Sequence, residues 1–351
     1  MKRSILAIGD LMSNNNKPEY SLTRFLWNTN RLLRRGIDFK FITYDDLLLN
    51  RLPDIFTKRL KIVLFFPYSY WNSQIERYDK DDRIYGDSHF GDDHQELFFR
   101  VDRIIKNRYK DHDVSFVNSP LSSILDRDKR KTCRLLKRAG LHTPHVYNIF
   151  SMAQVNRLID KGKTLYIKPV FGSMGKGITY IDKKHGCFSN FLFRRGEVIS
   201  RASDYNWAVR KVHASKVEDF IKVLIKRRFL FQEGIETPRC QKRRFDLRIY
   251  TVNGKIPYMY AKSAPSANFL TNWSQGGRIE KKRFLKKALR PKTIRRAKAL
   301  AVDAAKVLAL NYAGADIIID KDQENVYLLE IQSFPGYERG FNLMRFLIDE
   351  L

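Results

Sequence analysis

Residues 165–181, LYIKPVFGSMGKGITYI, join two short apolar strands through a turn with glycines at 172, 175 and 177. Glycines open backbone conformations closed to other residues and let peptide N–H groups approach an anion. The pair Lys176–Gly177 runs on into a strand, Gly177–Asp182, instead of into Ser or Thr and a helix. This is therefore not a Walker-type phosphate loop. Lys168, on the first strand (expected over Thr164–Pro169), adds a fixed positive charge beside the turn. On these residues alone the segment reads either as a phosphate cradle of Gly172, Ser173, Gly175, Lys176 and Gly177 or as an ordinary β-hairpin.

Residues 1–118 alternate short apolar runs (SILAIGD, DFKFITY, KIVLFFPYSYW) with an amphipathic stretch around Leu22–Leu33. That alternation predicts a small parallel α/β unit. Asp79–Glu96 is polar and broken by glycine, so a long loop is expected there; its Asp and His residues match no metal-ligand spacing. From Ser119 the character changes. A basic helix is expected over Ser123–Ala139, with further helices at Lys216–Arg227, Lys292–Leu310 and Phe341–Leu351. Strands are expected at Phe229–Glu233, Asp246–Val252, Ile256–Lys262, Ala315–Asp320 and Val326–Gln332. The fold class is α/β, with a domain over 1–118 and a second over 119–351.

Polar residues on the later strands carry the candidate chemistry. Asp316 interrupts an apolar strand, and Glu330 and Gln332 are two apart, so they share a face. Three such oxygen donors suit a hard cation such as Mg²⁺, and they equally suit pairing with lysine and arginine. Asp246 and Arg248 also share a face, and an arginine fork matches a carboxylate or an acyl phosphate. Gln232, Glu233 and Gly234 end a strand at a hinge whose backbone can read the edge of an adenine ring.

Lys and Arg number 66 against 38 Asp and Glu, a net charge of +28. Such a field favours nucleotide phosphates, nucleic acid or an anionic polymer, and says nothing of fold. Eleven basic residues and one acid crowd Arg278–Lys298, read as a solvated face or as a docking surface for an acidic peptide or polymer. Trp207 and Tyr205 lie between Arg201 and Arg210, an arrangement that suits single-stranded nucleic acid as a secondary partner. The longest apolar stretch, Ile62–Trp71, is about half what a membrane span needs. Cys133, Cys187 and Cys240 are far apart and odd in number, which points to a reducing, cytoplasmic setting.

The order of these fragments is more specific than any one of them. DRDK, IKP with its glycine turn, QEGI, FDLR, TNWSQGG, GADI and EIQSFPG, taken together over residues 119–351, resemble the ATP-grasp superfamily. The wording FDLRIYTV, AKSAPSANFLTNWSQGG and IKPVFGSMGKGI is most similar to the spore-coat-associated (YheC/YheD-like) branch, and more distantly to ribosomal-protein glutamate ligases and glutathione synthetases. The resemblance implies a two-layer α+β ATP-grasp domain with lobes 119–230 and 231–351, preceded by a pre-ATP-grasp domain. It implies that Lys129 and Lys168 grip ATP phosphates under the loop Gly172–Gly177. Gln232, Glu233, Gly234 and Ile235 would form the adenine hinge, with Asp246 near the ribose and Asn272 and Gly276–Gly277 beside ATP. Arg248 and Lys262 would be catalytic, Lys262 standing where relatives often carry arginine. Asp316, Glu330 and Gln332 would bind Mg²⁺ (or Mn²⁺), with glutamine in place of the usual asparagine. The implied function is an ADP-forming ligase that joins a carboxylate to an amine, the acceptor being an anionic peptide or polymer. A kinase of the same fold, or a nucleotide-binding structural protein, is the alternative.

Overall fold

The computed structural model describes residues 3–11, 20–76, 83–200, 207–266, 268–271, 277–336 and 341–351. Near the N-terminus, Asp38–Ile42, Arg3–Ile8, Arg59–Leu64 and Asp113–Phe116 stand side by side, in that order, as an all-parallel sheet. Ile5 to Ile8 are all buried, as in a parallel strand covered on both faces. Leu6, Ile8, Ile62 and Leu64 pack on the helix Ser88–Arg108. Ile5, Ala7 and Val63 meet the C-terminal helix Leu343–Glu350 and Tyr250, Tyr260 and Tyr312 of a later sheet.

The helix Ser88–Arg108 corrects the long-loop expectation, since residues 88–96 form its first turns. Asp87 caps it, accepting the His89 N–H at 3.2 Å. Phe90, His94, Leu97, Phe98, Val101 and Ile105 recur at helical spacing on the buried side, while Asp92 and Glu96 face solvent. Its polar composition belongs to the outer face. The expected basic helix is also two, Pro120–Arg127 and Lys129–Arg138. Asp128 separates them with an extended backbone, and its side chain accepts the N–H groups of Arg130 and Lys131 at 3.0 and 2.9 Å.

Two antiparallel sheets follow. One orders Arg210–Lys211, Gly186–Ser189, Thr179–Asp182, Leu165–Lys168, Leu230–Glu233 and Val146–Tyr147. The other orders Arg278–Ile279, Lys255–Pro265, Arg243–Val252, Tyr312–Ile319 and Val326–Gln332, with Arg239–Cys240 beside Arg243–Val252. The long helix Pro291–Val307 lies against the second sheet through Ala297, Ala301, Ala304 and Ala305. These small side chains leave room for Leu247, Ile249 and Ile317 beneath. The sheet's opposite face turns toward the first sheet, across a cleft.

Candidate active site

Residues of both antiparallel sheets line that cleft. Tyr166, Ile178, Ile235, Phe269, Leu270, Ile318 and Leu329 make its apolar lining, with Tyr180 stacked on Phe269 at 4.0 Å. The charged lining comprises Lys129, Lys168, Lys176, Arg244, Lys262, Glu233, Asp246, Asp316 and Glu330.

Strand register brings most of the charges together. Asp316 stands opposite Arg248 on one neighbouring strand and opposite Glu330 on the other, and Asp246 stands opposite Lys262. Directly opposed residues of antiparallel strands project from the same face, so these groups meet. The Lys262 ammonium donates to Asp316 Oδ1 at 2.8 Å and lies 3.2 Å from Asp246 Oδ1. Arg248 Nη2 donates to Asp316 Oδ2 at 3.1 Å, with Nε 2.8 Å from Oδ1. Burial by itself raises the Asp316 carboxyl, but Arg248 and Lys262 outweigh it and hold the group below the usual carboxylate range. Asp246 accepts the Thr271 hydroxyl, and burial raises its pKa despite Lys262.

Lys129 opens its helix because Asp128 breaks the chain just before it. Its ammonium donates to the Gly172 carbonyl and lies 3.3 Å from Glu330 Oε1. Burial raises the Glu330 carboxyl, and Lys129 chiefly reverses this to leave it below its ordinary value. Lys168 donates to Gln232 Oε1 at 2.6 Å. Burial, reinforced by Lys129 and partly offset by Glu330, lowers the Lys168 ammonium to about 8.

The glycine turn is held from outside. Tyr85 Oη accepts the Ser173 N–H at 2.9 Å, and Asn190 donates to the Gly175 carbonyl at 2.6 Å. A Cβ on Gly172 would stand 2.9 Å from the Tyr85 ring and 2.6 Å from Pro169, so only glycine fits there. Lys176, 3% exposed, pairs with Glu76 at 2.5 Å. Gln232 is buried between two partner strands, and beyond it Gly234 donates its N–H to Thr164 O at 2.8 Å. The Glu233 side chain turns to Lys163 at 2.8 Å.

Gln332 lines an adjoining cavity walled by Phe66, Tyr68, Trp71, Arg127, Arg248 and Phe334. The two cavities share Ser173, Lys176, Asp316 and Glu330. Among the described residues no three His, Cys, Asp or Glu side chains are grouped to hold a metal ion by themselves. Asp316, Glu330 and Gln332 offer two carboxylates held ionised and an amide, all hard oxygen donors. That set fits Mg²⁺, which shares its shell with phosphate oxygens instead of requiring an all-protein cage.

Asn272 and Gly276 lie outside the described residues, as do Arg201 and Tyr205. Trp207 is 1% exposed and packs edge-on against Phe191 at 5.6 Å, so it presents no face to a nucleic-acid base. The basic run Arg278–Lys298 buries Phe284, Leu285, Thr293 and Ala297 and turns most of its charges to solvent. Sequence reasoning missed Glu76, Tyr85, Arg127 and Thr271. Arg127 lies within DRDK and Thr271 opens TNWSQGG, so these two had a signal in the motifs themselves.

A cleft between two antiparallel sheets, with lysines facing paired carboxylates across it, defines a protein of the ATP-grasp class. The family model described as "YheC/D like ATP-grasp" matches residues 119–344, and the chain belongs to that family. A "Probable alpha-L-glutamate ligase" of Legionella pneumophila (strain Corby) is 28% identical over 224 residues, 63% of this chain and 60% of that protein. The chain thus spans about 60% of the length of that curated relative. The solved ATP-grasp ligase PsnB, complexed with minimal precursor, Mg and ADP, superposes with a TM-score of 0.54 at 18% identity, covering 99% of this chain and 97% of that one. A Chryseobacterium gregarium RiPP-associated ATP-grasp ligase, in complex with ADP and a leader and core peptide, gives 0.57 at 14% identity over 99% and 96%. These two likenesses establish the fold. Among the described residues no helix is long and apolar enough to cross a membrane.

Proposed function

We propose that this chain is an ADP-forming ligase that uses ATP and Mg²⁺ to join a carboxylate to an amine. The observation that carries the reading is the junction of the two cavities. There Lys129, Glu330 and Asp316 stand between the cleft, with its apolar lining of Tyr166, Ile178, Ile235 and Leu329, and a second chamber that also reaches Arg248.

Lys129 and Lys168 would hold the phosphates, exchanging their present partners Glu330 and Gln232 for phosphate oxygens. Ser173 to Gly177, fixed by Tyr85 and Asn190, would cover the same oxygens and keep water out. Asp316, Glu330 and Gln332 would hold Mg²⁺, which when bound neutralises charge spreading over the transferred phosphoryl group. Arg248 and Lys262, oriented by Asp316, would steady the substrate carboxylate as its oxygen attacks the γ-phosphorus and ADP departs. The amine nitrogen then bonds to the acyl carbon of the resulting acyl phosphate, phosphate leaves with its electron pair, and the amine releases a proton. Preorganised cations suffice for such chemistry, which explains a site without a nucleophilic triad.

The net charge of +28 and the exposed face over residues 278–298 support an anionic peptide or polymer as one substrate. The domain over 1–118 would supply the remaining wall of the second chamber, through Phe66, Tyr68 and Trp71.

Calorimetry and an ADP-release assay test the reading. Magnesium-dependent nucleotide uptake is expected, weakened about ten- to hundredfold by Lys168→Met, the worth of a hydrogen bond to a charged group. ADP should appear only when a carboxylate and an amine are supplied together. ADP with a stable phosphorylated product and no amine would instead identify a kinase. Binding without turnover under any acceptor would identify a nucleotide-binding structural protein.

A further inference from the structure

The second chamber holds one cation that the chemistry above does not use. Arg127 ends the helix Pro120–Arg127, and its guanidinium carbon lies 5.3 Å from the Phe66 ring centroid and 5.0 Å from that of Trp71. Both rings are fixed in place. Trp71 is 3% exposed and donates its indole N–H to Glu76 Oε2 at 2.7 Å. Phe66 packs on Trp71 at 5.3 Å and on Phe334 at 5.8 Å.

A guanidinium within cation–π range of aromatic rings keeps N–H donors that a planar anion can still meet, because the ring faces accept no conventional hydrogen bond from all of them. Among the described residues those donors have no hydrogen-bond or ion-pair partner. Every other lysine or arginine lining the two cavities is engaged: Lys129 with Glu330, Lys168 with Gln232, Lys176 with Glu76, Arg248 and Lys262 with Asp316, and Arg244 with the Asn268 carbonyl. An arginine held against two rings in a cavity, with the buried Asp126 carboxyl feeling its charge but no hydrogen-bond or ion-pair partner taking its donors, is placed for bidentate carboxylate binding.

Arg127 lines the second cavity and makes no ion pair with Asp316 or Glu330, whereas Lys129, Arg248 and Lys262 do. A carboxylate on Arg127 would therefore meet a cation outside that charge cluster. On this inference it is a different carboxylate from the one that is activated.

We propose that Arg127 is a specificity-determining residue that anchors the carboxylate of the amine substrate, so the amine donor is an α-amino acid and not a simple amine. This inference rests on the ligase reading. The anchored carboxylate passes through the reaction unchanged: the nitrogen of the same molecule forms the C–N bond, the acyl C–O bond to phosphate breaks, and one amine proton is released.

The test uses the full chain with Mg²⁺ and a non-hydrolysable ATP analogue, titrated calorimetrically with each L-amino acid and with its α-carboxamide. At least one amino acid should bind, and its carboxamide should bind at least tenfold more weakly. Arg127→Gln should bring the two affinities together while nucleotide affinity stays within twofold of wild type; Arg127→Lys should keep part of the preference. Three results overturn the proposal: an acid and amide bound alike by the wild type, a preference that survives in Arg127→Gln, or no amino acid bound by a protein that binds nucleotide. Absence of nucleotide uptake by the wild type is a separate failure. It would remove the ligase reading, and the inference with it.

Discussion

Lys176 of the glycine turn lies 2.5 Å from Glu76, a residue 100 positions earlier that also accepts the indole N–H of Trp71. The glycine turn and the aromatic wall of the second chamber are thus tied to one carboxylate. Entry of a substrate beside Trp71 and closure of the turn would share this contact.

Glu76→Gln keeps an acceptor but removes the charge that faces a buried ammonium. A loss of about 1–3 kcal/mol in unfolding free energy is expected, the scale for weakening a buried charge-assisted contact. Hydrogen exchange provides the local readout. The amides of Ser173 to Gly177 should exchange faster in the variant, while those of the strand Val326–Gln332 should change only by the global loss.

Lys168 predicts a proton uptake. Its folded pKa is about 8, lowered mainly by burial from the ordinary lysine value of 10.5. Above pH 8 the free protein therefore holds Lys168 largely neutral, and phosphate oxygens beside it would draw a proton back. Nucleotide binding at pH 8.5–9 should take up protons, seen as a dependence of the calorimetric heat on buffer ionisation enthalpy. The uptake should fade by about pH 6.5, where the lysine is already charged. For stability the sign follows from the same numbers. The unfolded chain holds this proton up to its higher pKa, so the Lys168 contribution makes stability rise with pH between about 8 and 10.5. Lys168→Met should abolish both effects.

The strands that carry the charged groups were legible because each alternates or runs apolar with a polar residue at a fixed phase. Val326–Gln332 has its expected bounds, and Asp246 and Arg248 share a strand as their spacing required. Other parts of the site leave no local trace. Glu76 and Tyr85 act on the glycine turn from far away in sequence, and Tyr85 fell in a stretch whose polar composition concealed the start of a helix. Arg127 depends on Phe66 and Trp71, which sequence reading assigned to an undifferentiated apolar run. Asp128, whose side chain ends one helix and caps the next, looks in sequence like one more charge on a basic helix.

Asp316 is the hub of the charge cluster, and its removal should be felt by folding before any chemistry. Its carboxylate faces both Arg248 and Lys262, and all three are almost wholly buried. Asp316→Asn leaves two cations facing one amide, and breaking a buried pair from one side costs about 3–5 kcal/mol. Urea titration should show the midpoint falling with an unchanged slope. In the wild type, the depressed pKa of Asp316 contributes stability above its unfolded value of 3.8. That contribution is lost as pH falls through the lower, folded pKa, and the variant should lack this limb of the acid transition.

Gly234 tests whether the hinge between the sheets tolerates any side chain. A Cβ there would lie 2.6 Å from Thr164 Cγ2 and 3.2 Å from the Tyr166 ring, while the Gly234 N–H donates to the Thr164 carbonyl. Gly234→Ala must therefore push Thr164 or the hinge backbone aside, at a cost of about 1–3 kcal/mol by the scale of overpacked sites. Because Tyr166 and Ile235 both line the cleft proposed to hold the nucleotide, the displacement should also weaken nucleotide binding. Thr164→Ala removes the methyl in conflict but leaves its Cβ 3.0 Å from the new one, so the double variant should recover part of both losses. A double-mutant cycle measures this, and a coupling energy of zero would mean that the clash is not what makes glycine necessary.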